Sequence, residues 1–286
     1  MVYYESERCG DMPKYISSFR NEKVLYNHQF FPSTESKHFD FHVHDICEMI
    51  FFKKGSVSAI IGNNIYKLHK DNIIIFKANI PHRIVVDDGA DYERYDILFD
   101  ESTLANGIFE RMPSELVLID CSGNEYITDI FKKLDFYCES FDRKDLDILI
   151  PNITEELIFN LYLSSASEPE GDIISMHPIV GKAVKYVNKH YSEDITIDDI
   201  SDNIGITKSH LHHLFSEYMK ITPKKYINIR RLAKAQKLIR TGGKPSVIYS
   251  SCGFGDYATF FRNYTEHFGY KPSEENRIVK ERKIES

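Results

Sequence analysis

Across residues 23–100 the apolar positions come in short runs, several alternating with polar ones, and each run is bounded by turn-forming residues. The runs EMIFF (48–52), VSAIIG (57–62), DNIIIF (71–76), HRIVV (82–86) and YDILF (95–99) predict strands, while GNN (62–64) and DDGAD (87–91) carry the Gly, Asn and Asp that turns favour. Several short strands at this interval predict a small barrel or sandwich. Beyond residue 120 the period changes. Ile127, Ile130, Phe131, Leu134, Cys138 and Phe141 recur at three-and-four spacing, and Leu149, Ile153, Leu157 and Leu161 are read as doing so again after Pro151, which predicts a pair of helices. Their apolar faces must pack on the barrel of the same chain, the safer reading for an amphipathic stripe, or on a second copy. The polar stretch SSASEPEGD (164–172) reads as a linker.

After the linker the chain is helical to its end, and two segments resemble each other. ITIDDISDNIGITKSHLHHLFSEYMKITP (195–223) and KPSVIYSSCGFGDYATFFRNYTEHFGYKP (244–272) each predict a short helix, a turn centred on a glycine (Gly205, Gly253) and a second helix opened by a capping residue (Thr207, Asp256). That order is the helix-turn-helix signature, and a repeat in series makes it far more specific than one glycine turn. PKKYINIRRLAKAQKLIRTGG lies between the units, with Pro223 at a first-turn position and Gly242 and Gly243 at its close, so one helix connects them. With Leu211, Leu214 and Phe215 inward, the first recognition helix turns Lys208, Ser209, His212 and His213 outward. With Phe260 and Tyr264 inward, the second turns out Tyr257, Ala258, Phe261 and Arg262. These eight are the candidate DNA-binding residues, Arg262 foremost, because a guanidinium can meet guanine O6 and N7 together. Lys224, Lys225, Arg230 and Arg231 are candidates for phosphate contacts, with Arg231 alternatively an internal strut.

Charge sharpens this division. The 286-residue chain carries a net −7, but residues 1–171 hold 17 Lys and Arg against 30 Asp and Glu, whereas residues 172–286 hold 19 against 13. A basic second part suits a polyanion, and chance variation in surface charge is the bland alternative. The 42% hydrophobic and 28% charged composition is that of a globular protein, no apolar run approaches the roughly 18 residues of a spanning helix, and the start has no export pattern, so a cytoplasmic protein is expected. Five scattered cysteines without a C-x-x-C pair predict free thiols.

The last third resembles the DNA-binding domain of the AraC/XylS transcription regulators. The resemblance covers about 175–277 and rests on SHLHHLFSEYMKITPKKYI, RRLAKAQKLI and above all CGFGDYATFFRNYTEHFGYKPSE. Three features depart from the family pattern: Ser201 and Tyr249 stand where each first helix usually has alanine, and PSEENR lacks the usual aromatic beside its arginine. The resemblance implies a multidomain protein. An all-β cupin-like barrel with following helices (1–171) would sense an effector and mediate dimerisation, and an all-α domain with two helix-turn-helix units (172–286) would bind double-stranded DNA. It further implies a homodimer, recruitment of RNA polymerase and control by a small-molecule effector, in many relatives a sugar or related metabolite.

FHVHDICEMIFFKKG (41–55), followed by KDNIIIFKANIPH (70–82), is similar to the two motifs of the cupin barrel and gathers His42, His44, Glu48 and His82. Imidazoles with a carboxylate suit iron, manganese, zinc or nickel, so one reading is a metal-dependent enzyme fused to a DNA-binding domain. The other is a sensing pocket in which the same four residues contact a small effector. No separate nucleophile or cofactor motif accompanies them, which favours the sensor: the four are assigned to effector binding, and no catalytic residue, metal or cofactor is assigned.

Overall fold

In a computed structural model of the chain, the described residues are 13–34, 41–44, 46–62, 64–78, 80–87, 89–100, 107, 118–164, 173–175 and 177–277. Cys9 and all of the predicted linker beyond Ser164 lie outside them.

Among the described residues, ten strands form two antiparallel sheets. They are β1 (Lys14–Arg20), β2 (Val24–Thr34), β3 (Cys47–Lys54), β4 (Val57–Ile61), β5 (Asn64–Leu68), β6 (Asn72–Phe76), β7 (His82–Val86), β8 (Ala90–Phe99), β9 (Leu118–Asp120) and β10 (Ile173–Ser175). One sheet has the order β1-β2-β8-β3-β6-β9 and the other β10-β5-β4-β7. All five strands predicted from apolar runs are present; β1, β2, β5, β9 and β10 join them, and β1 begins well before residue 23. Alternation explains the layers. Ile50, Phe52, Ile74, Phe76 and Tyr92 face Val57, Ala59, Leu68, Ile84 and Val86 of the second sheet, while Met49, Phe51, Ile73, Ile75, Tyr95 and Ile97 face the opposite way, against helices. Both faces of β3 and β6 are therefore buried, which is why those runs are continuously apolar.

Those helices are α1 (Glu125–Ser140) and α2 (Arg143–Ser164). They pack within the chain through Ile127, Ile130, Phe131, Leu134, Leu146, Ile150, Ile153, Leu157, Ile158 and Leu161. Asp135 anchors α1 on the sheet by accepting hydrogen bonds from Tyr26 (2.5 Å), Tyr95 (2.9 Å) and Ser17, with His28 Nδ1 at 3.0 Å. Helix α2 passes through Pro151 instead of starting after it, and Leu149 is only half-buried. Proline frees the carbonyl four residues earlier, and that oxygen, on Asp147, accepts from Asn21 Nδ2 at 3.5 Å.

The remaining helices form the C-terminal domain: α3 (Pro178–His190), α4 (Ile197–Ile204), α5 (Lys208–Met219), α6 (Pro223–Arg240), α7 (Pro245–Ile248) and α8 (Tyr257–Phe268). Thr196 and Asp199 form a capping box on α4; Thr207, Thr222 and Asp256 cap α5, α6 and α8 through their side-chain oxygens. Gly205 and Gly253 end the two first helices at φ +78° and +91°, a region that favours glycine. The second unit's first helix is shorter than its counterpart: α7 is one turn and passes into a 3-10 turn at Ser250–Cys252. Lys244 gives α7 no side-chain cap, and Ser251 Oγ returns to the Ile248 carbonyl at 2.8 Å, competing with helical extension. Glu275, fully buried, closes the domain by accepting from Tyr264, Tyr270 (2.7 Å) and Arg240 Nε (2.5 Å).

Candidate DNA interface and effector site

Residues 41–44 run extended and touch β7 through one two-way backbone pair, His42 with His82, at 3.0 Å in each direction. Alternation in this segment sends His42 and His44 to one side, where β3 presents Glu48 and β7 presents His82. The four donors lie within 4.8 Å of one another. Glu48 Oε2 is 3.0 Å from His44 Nε2, 3.0 Å from His82 Nε2 and 4.0 Å from His42 Nε2. The site is graded in exposure: the side chains of Glu48 and His82 are 4% and 1% accessible, whereas that of His42 is 42% accessible and opens the cluster to solvent. His82 also stacks on Phe76 at 4.0 Å, which fixes its ring plane.

The outer nitrogens are occupied too. His44 Nδ1 lies 2.7 Å from the Ile46 carbonyl and His82 Nδ1 lies 2.8 Å from the Ile80 carbonyl. A carbonyl only accepts, so each Nδ1 carries a proton and each Nε2 faces Glu48. Burial opposes the charge on Glu48, yet its contacts with His44 and His82 hold the carboxyl well below the usual range; burial lowers His82 and favours its neutral form.

Deeper in the barrel, Arg94, Asp96 and Gln29 form a buried polar group that the sequence reading missed. Arg94 Nε donates to Gln29 Oε1 at 3.1 Å, Arg94 Nη2 is 3.6 Å from Asp96 Oδ2, and the guanidinium lies 5.6 Å from the ring centres of both Phe31 and Tyr92. Burial works against the charge of Arg94, but Tyr92, Asp96 and Glu48 raise its pKa. The signal was present in YERYDILF (92–99), whose alternation puts Arg94 and Asp96 on the inward face with Tyr92.

In the helical domain, Leu211, Leu214 and Phe215 are buried in α5, leaving Lys208, Ser209, His212 and His213 exposed. In α8, Phe260 and Tyr264 are buried, Tyr257, Ala258 and Arg262 are exposed, and Phe261 is half-buried. The eight predicted side chains thus occupy the two outward faces. Ser216 on α5 and the half-buried Thr265 on α8 continue these faces by one turn and were not singled out, although their spacing from His212, His213, Phe261 and Arg262 marks them. Two contacts tune the first face: Lys208 pairs with Asp198, and His213 Nε2 lies 3.6 Å from Glu217.

The connecting helix contributes less free charge than its sequence suggests. Lys224 and Lys225 are exposed, but Arg230 lies over the Tyr191 ring at 5.0 Å, and Arg231 is an internal strut. Its Nε donates to the Tyr191 carbonyl at 2.7 Å and its Nη2 to that of Glu193 at 2.8 Å, while its guanidinium lies 5.9 Å from the Phe254 ring centre. One side chain thereby ties the end of α3 to the second unit's turn.

Two stretches of the chain match known families. Residues 200–277 match the family described as a helix-turn-helix domain, and residues 31–114 match the AraC-like ligand binding domain. The chain is 31% identical over 129 residues to the lactose operon transcription activator of Staphylococcus xylosus, a match spanning 45% of this chain and 46% of that protein. It is 24% identical over 258 residues, 87% of this chain and 84% of the relative, to the uncharacterized HTH-type transcriptional regulator YdiP of Escherichia coli strain K12. Among solved structures it is similar to a transcriptional regulator from Chromobacterium violaceum described by its AraC-type DNA-binding domain. That match has 30% identity and a TM-score of 0.33, and covers 36% of this chain and 92% of that one.

Proposed function

We propose that this chain, which belongs to the AraC-type transcriptional regulators and joins a ligand-binding domain to a helix-turn-helix domain, reads its operator with the outward faces of α5 and α8. The observation that carries this reading is the pair of exposed recognition faces held apart by α6, one bearing Lys208, Ser209, His212 and His213 and the other Tyr257, Ala258, Phe261 and Arg262. If α6 spaces them by about one duplex turn, roughly 34 Å, they enter successive major grooves from one side. Arg262 supplies the sharpest base discrimination, about 1 to 3 kcal/mol against a wrong base.

His42, His44, Glu48 and His82 form the mouth of a sensing site whose occupant alters the affinity for DNA; it can do so only by binding two arrangements of the protein unequally. The protein acts as a regulator and not as an enzyme, in the cytoplasm, as a homodimer that recruits RNA polymerase. Support for the dimer comes from the face of α2 turned away from the barrel, where Ile148, Phe159 and Leu163 share a stripe and are 64%, 44% and 72% exposed. No helix among the described residues is long and apolar enough to cross a membrane.

The DNA reading is tested by fluorescence anisotropy on a duplex selected from random sequences by the full chain. Arg262→Ala should weaken the selected site by about 5- to 150-fold more than random DNA, the factor equivalent to one lost bidentate contact. Equal losses on both duplexes would remove Arg262 from base reading.

A further inference from the structure

Helix α6 is shared between two cores. Tyr226, Ile227, Ile229 and Ala233 join the first unit's core with Leu211, Leu214 and Phe215, while Leu232, Ala235 and Ile239 join the second with Phe260, Tyr264 and Phe268. Asn228 lies among these apolar positions, half-buried, and its Nδ2 donates to Oδ1 of Asn263 on α8 at 3.1 Å. Asn263 is half-buried too, and its own Nδ2 donates to the Thr259 carbonyl at 2.7 Å, one turn back along α8. That second bond sets the orientation of the Asn263 amide and leaves its oxygen to accept from Asn228. The backbone N–H of Thr259 in turn donates to Asp256, the N-cap of α8, at 2.7 Å. A continuous series of bonds therefore runs from the cap of the second recognition helix to the connecting helix.

Apolar burial holds α8 on α6 but carries no direction, so by itself it leaves the roll of one helix on the other loosely set. A polar pair at such a contact is directional and specifies one register, at some cost in stability. Roll matters here because of what lies next in sequence. Arg262 precedes Asn263 by one residue and therefore sits about 100° round the helix from it, on the exposed face. With its side chains a helix has a surface about 5 to 6 Å from the axis, so a roll of about 10° displaces that surface by about 1 Å. Hydrogen bonds to a base edge hold only between about 2.7 and 3.2 Å. The same roll would carry Asn263 about 1 Å and break its bond to Asn228, so the pair resists the very motion to which a bidentate contact from Arg262 is sensitive.

We propose that Asn228 and Asn263 are positioning residues for base recognition: their hydrogen bond fixes the roll of α8 against α6 and thereby aims Arg262 at its base pair. This rests on the reading of α8 as a recognition helix and names the residues that set its specificity from behind.

The test measures binding of the full chain by anisotropy on the selected duplex and on duplexes carrying each single base-pair change, with Tm followed by calorimetry. Arg262→Ala marks the base pair that Arg262 reads, as the position where the variant ceases to distinguish bases. The double variant Asn228→Leu/Asn263→Leu replaces both amides by apolar groups of the same branching, strands neither partner, and should keep Tm within about 4 °C of the wild type. Its discrimination at the marked base pair should nonetheless fall by at least about fivefold, the smallest loss equivalent to one bidentate contact. Base pairs about one duplex turn away, under α5, should keep theirs within about twofold. In an Arg262→Ala background the leucine pair should change discrimination at the marked position by less than about twofold, because its effect runs through that arginine. Asn228→Ala, in which higher helix propensity offsets the lost bond, should show the same pattern and decides the matter if the leucine pair does not fold. Full discrimination retained at the marked base pair, or an equal loss at every position, overturns the positioning role and leaves the reading of α8 standing. Failure of Arg262→Ala to relax any position overturns both.

Discussion

The two turn glycines look equivalent in sequence, yet alanine should be tolerated at one and not at the other. Both sit at positive φ, +78° at Gly205 and +91° at Gly253, so each substitution meets the left-handed penalty of about 1 to 2 kcal/mol. At Gly205 that is the whole cost, because an added Cβ has nothing within 4 Å. At Gly253 the same atom would lie 2.6 Å from the Tyr191 carbonyl oxygen and 2.7 Å from Arg231 Nε, inside the strut that joins the two helix-turn-helix units. Neither is a loose chain end, since one is backbone and the other is held by two hydrogen bonds. Overpacking of this kind adds about 1 to 3 kcal/mol, for a total of about 2 to 5. For a transition of roughly 100 residues each kcal/mol moves Tm by about 4 to 8 °C. In differential scanning calorimetry of the full chain, Gly205→Ala should lower the helical domain's Tm by about 4 to 16 °C, and Gly253→Ala by about 4 to 24 °C more than whatever Gly205→Ala shows. Specific DNA affinity should fall further in the second variant, because the displaced turn carries α8. Equal Tm shifts would refute the claim that contact with the strut, over and above backbone angle, makes Gly253 indispensable.

Other outcomes follow from the same geometry. Glu275→Ala strands two tyrosine hydroxyls and Arg240 and should destabilise the helical domain by about 3 to 5 kcal/mol in urea unfolding, with Glu275→Gln retaining part of the loss; a change under about 0.5 kcal/mol in Glu275→Ala would contradict its anchoring role. Burial, aided by the charge of Lys225, lowers the His267 pKa to about 4, below the unfolded value of about 6.5. Its contribution is therefore present above pH 6.5 and lost as pH falls toward 4, and the urea midpoint should decline less over that window in His267→Gln than in wild type; parallel declines would argue against it. Ile148→Glu combined with Leu163→Glu should give a monomer by size-exclusion chromatography with light scattering, while a persisting dimer would move the interface away from the α2 stripe.

Much of the architecture was legible because it depends on local rules. Short apolar or alternating runs bounded by turn residues marked the central strands, period-3.6 runs the helices, and Thr207, Pro223 and Asp256 the helix starts, since a cap or a fixed φ acts within one turn of chain. Helix α2 was misjudged at its start: proline is read locally as a boundary, whereas here buried apolar contacts and the bond from Asn21 carry the helix through it. The inward-facing group of Arg94, Asp96 and Gln29 was overlooked although alternation marks two of its members, because charge on a strand is ordinarily read as solvent-facing.

The sequence alone determined that His42, His44, Glu48 and His82 are the right residue types for a common site, and that two recognition helices with polar outward faces follow one another. Only the tertiary structure decided that two imidazole Nε2 atoms converge on one carboxylate oxygen, that Arg231 spans the two units instead of meeting phosphate, and that Phe41 leaves the cluster for the core of the DNA-binding domain. Residue type and spacing are properties of the chain, whereas lone-pair direction, burial and contact between positions more than a hundred residues apart exist only after the sheets and helices have packed.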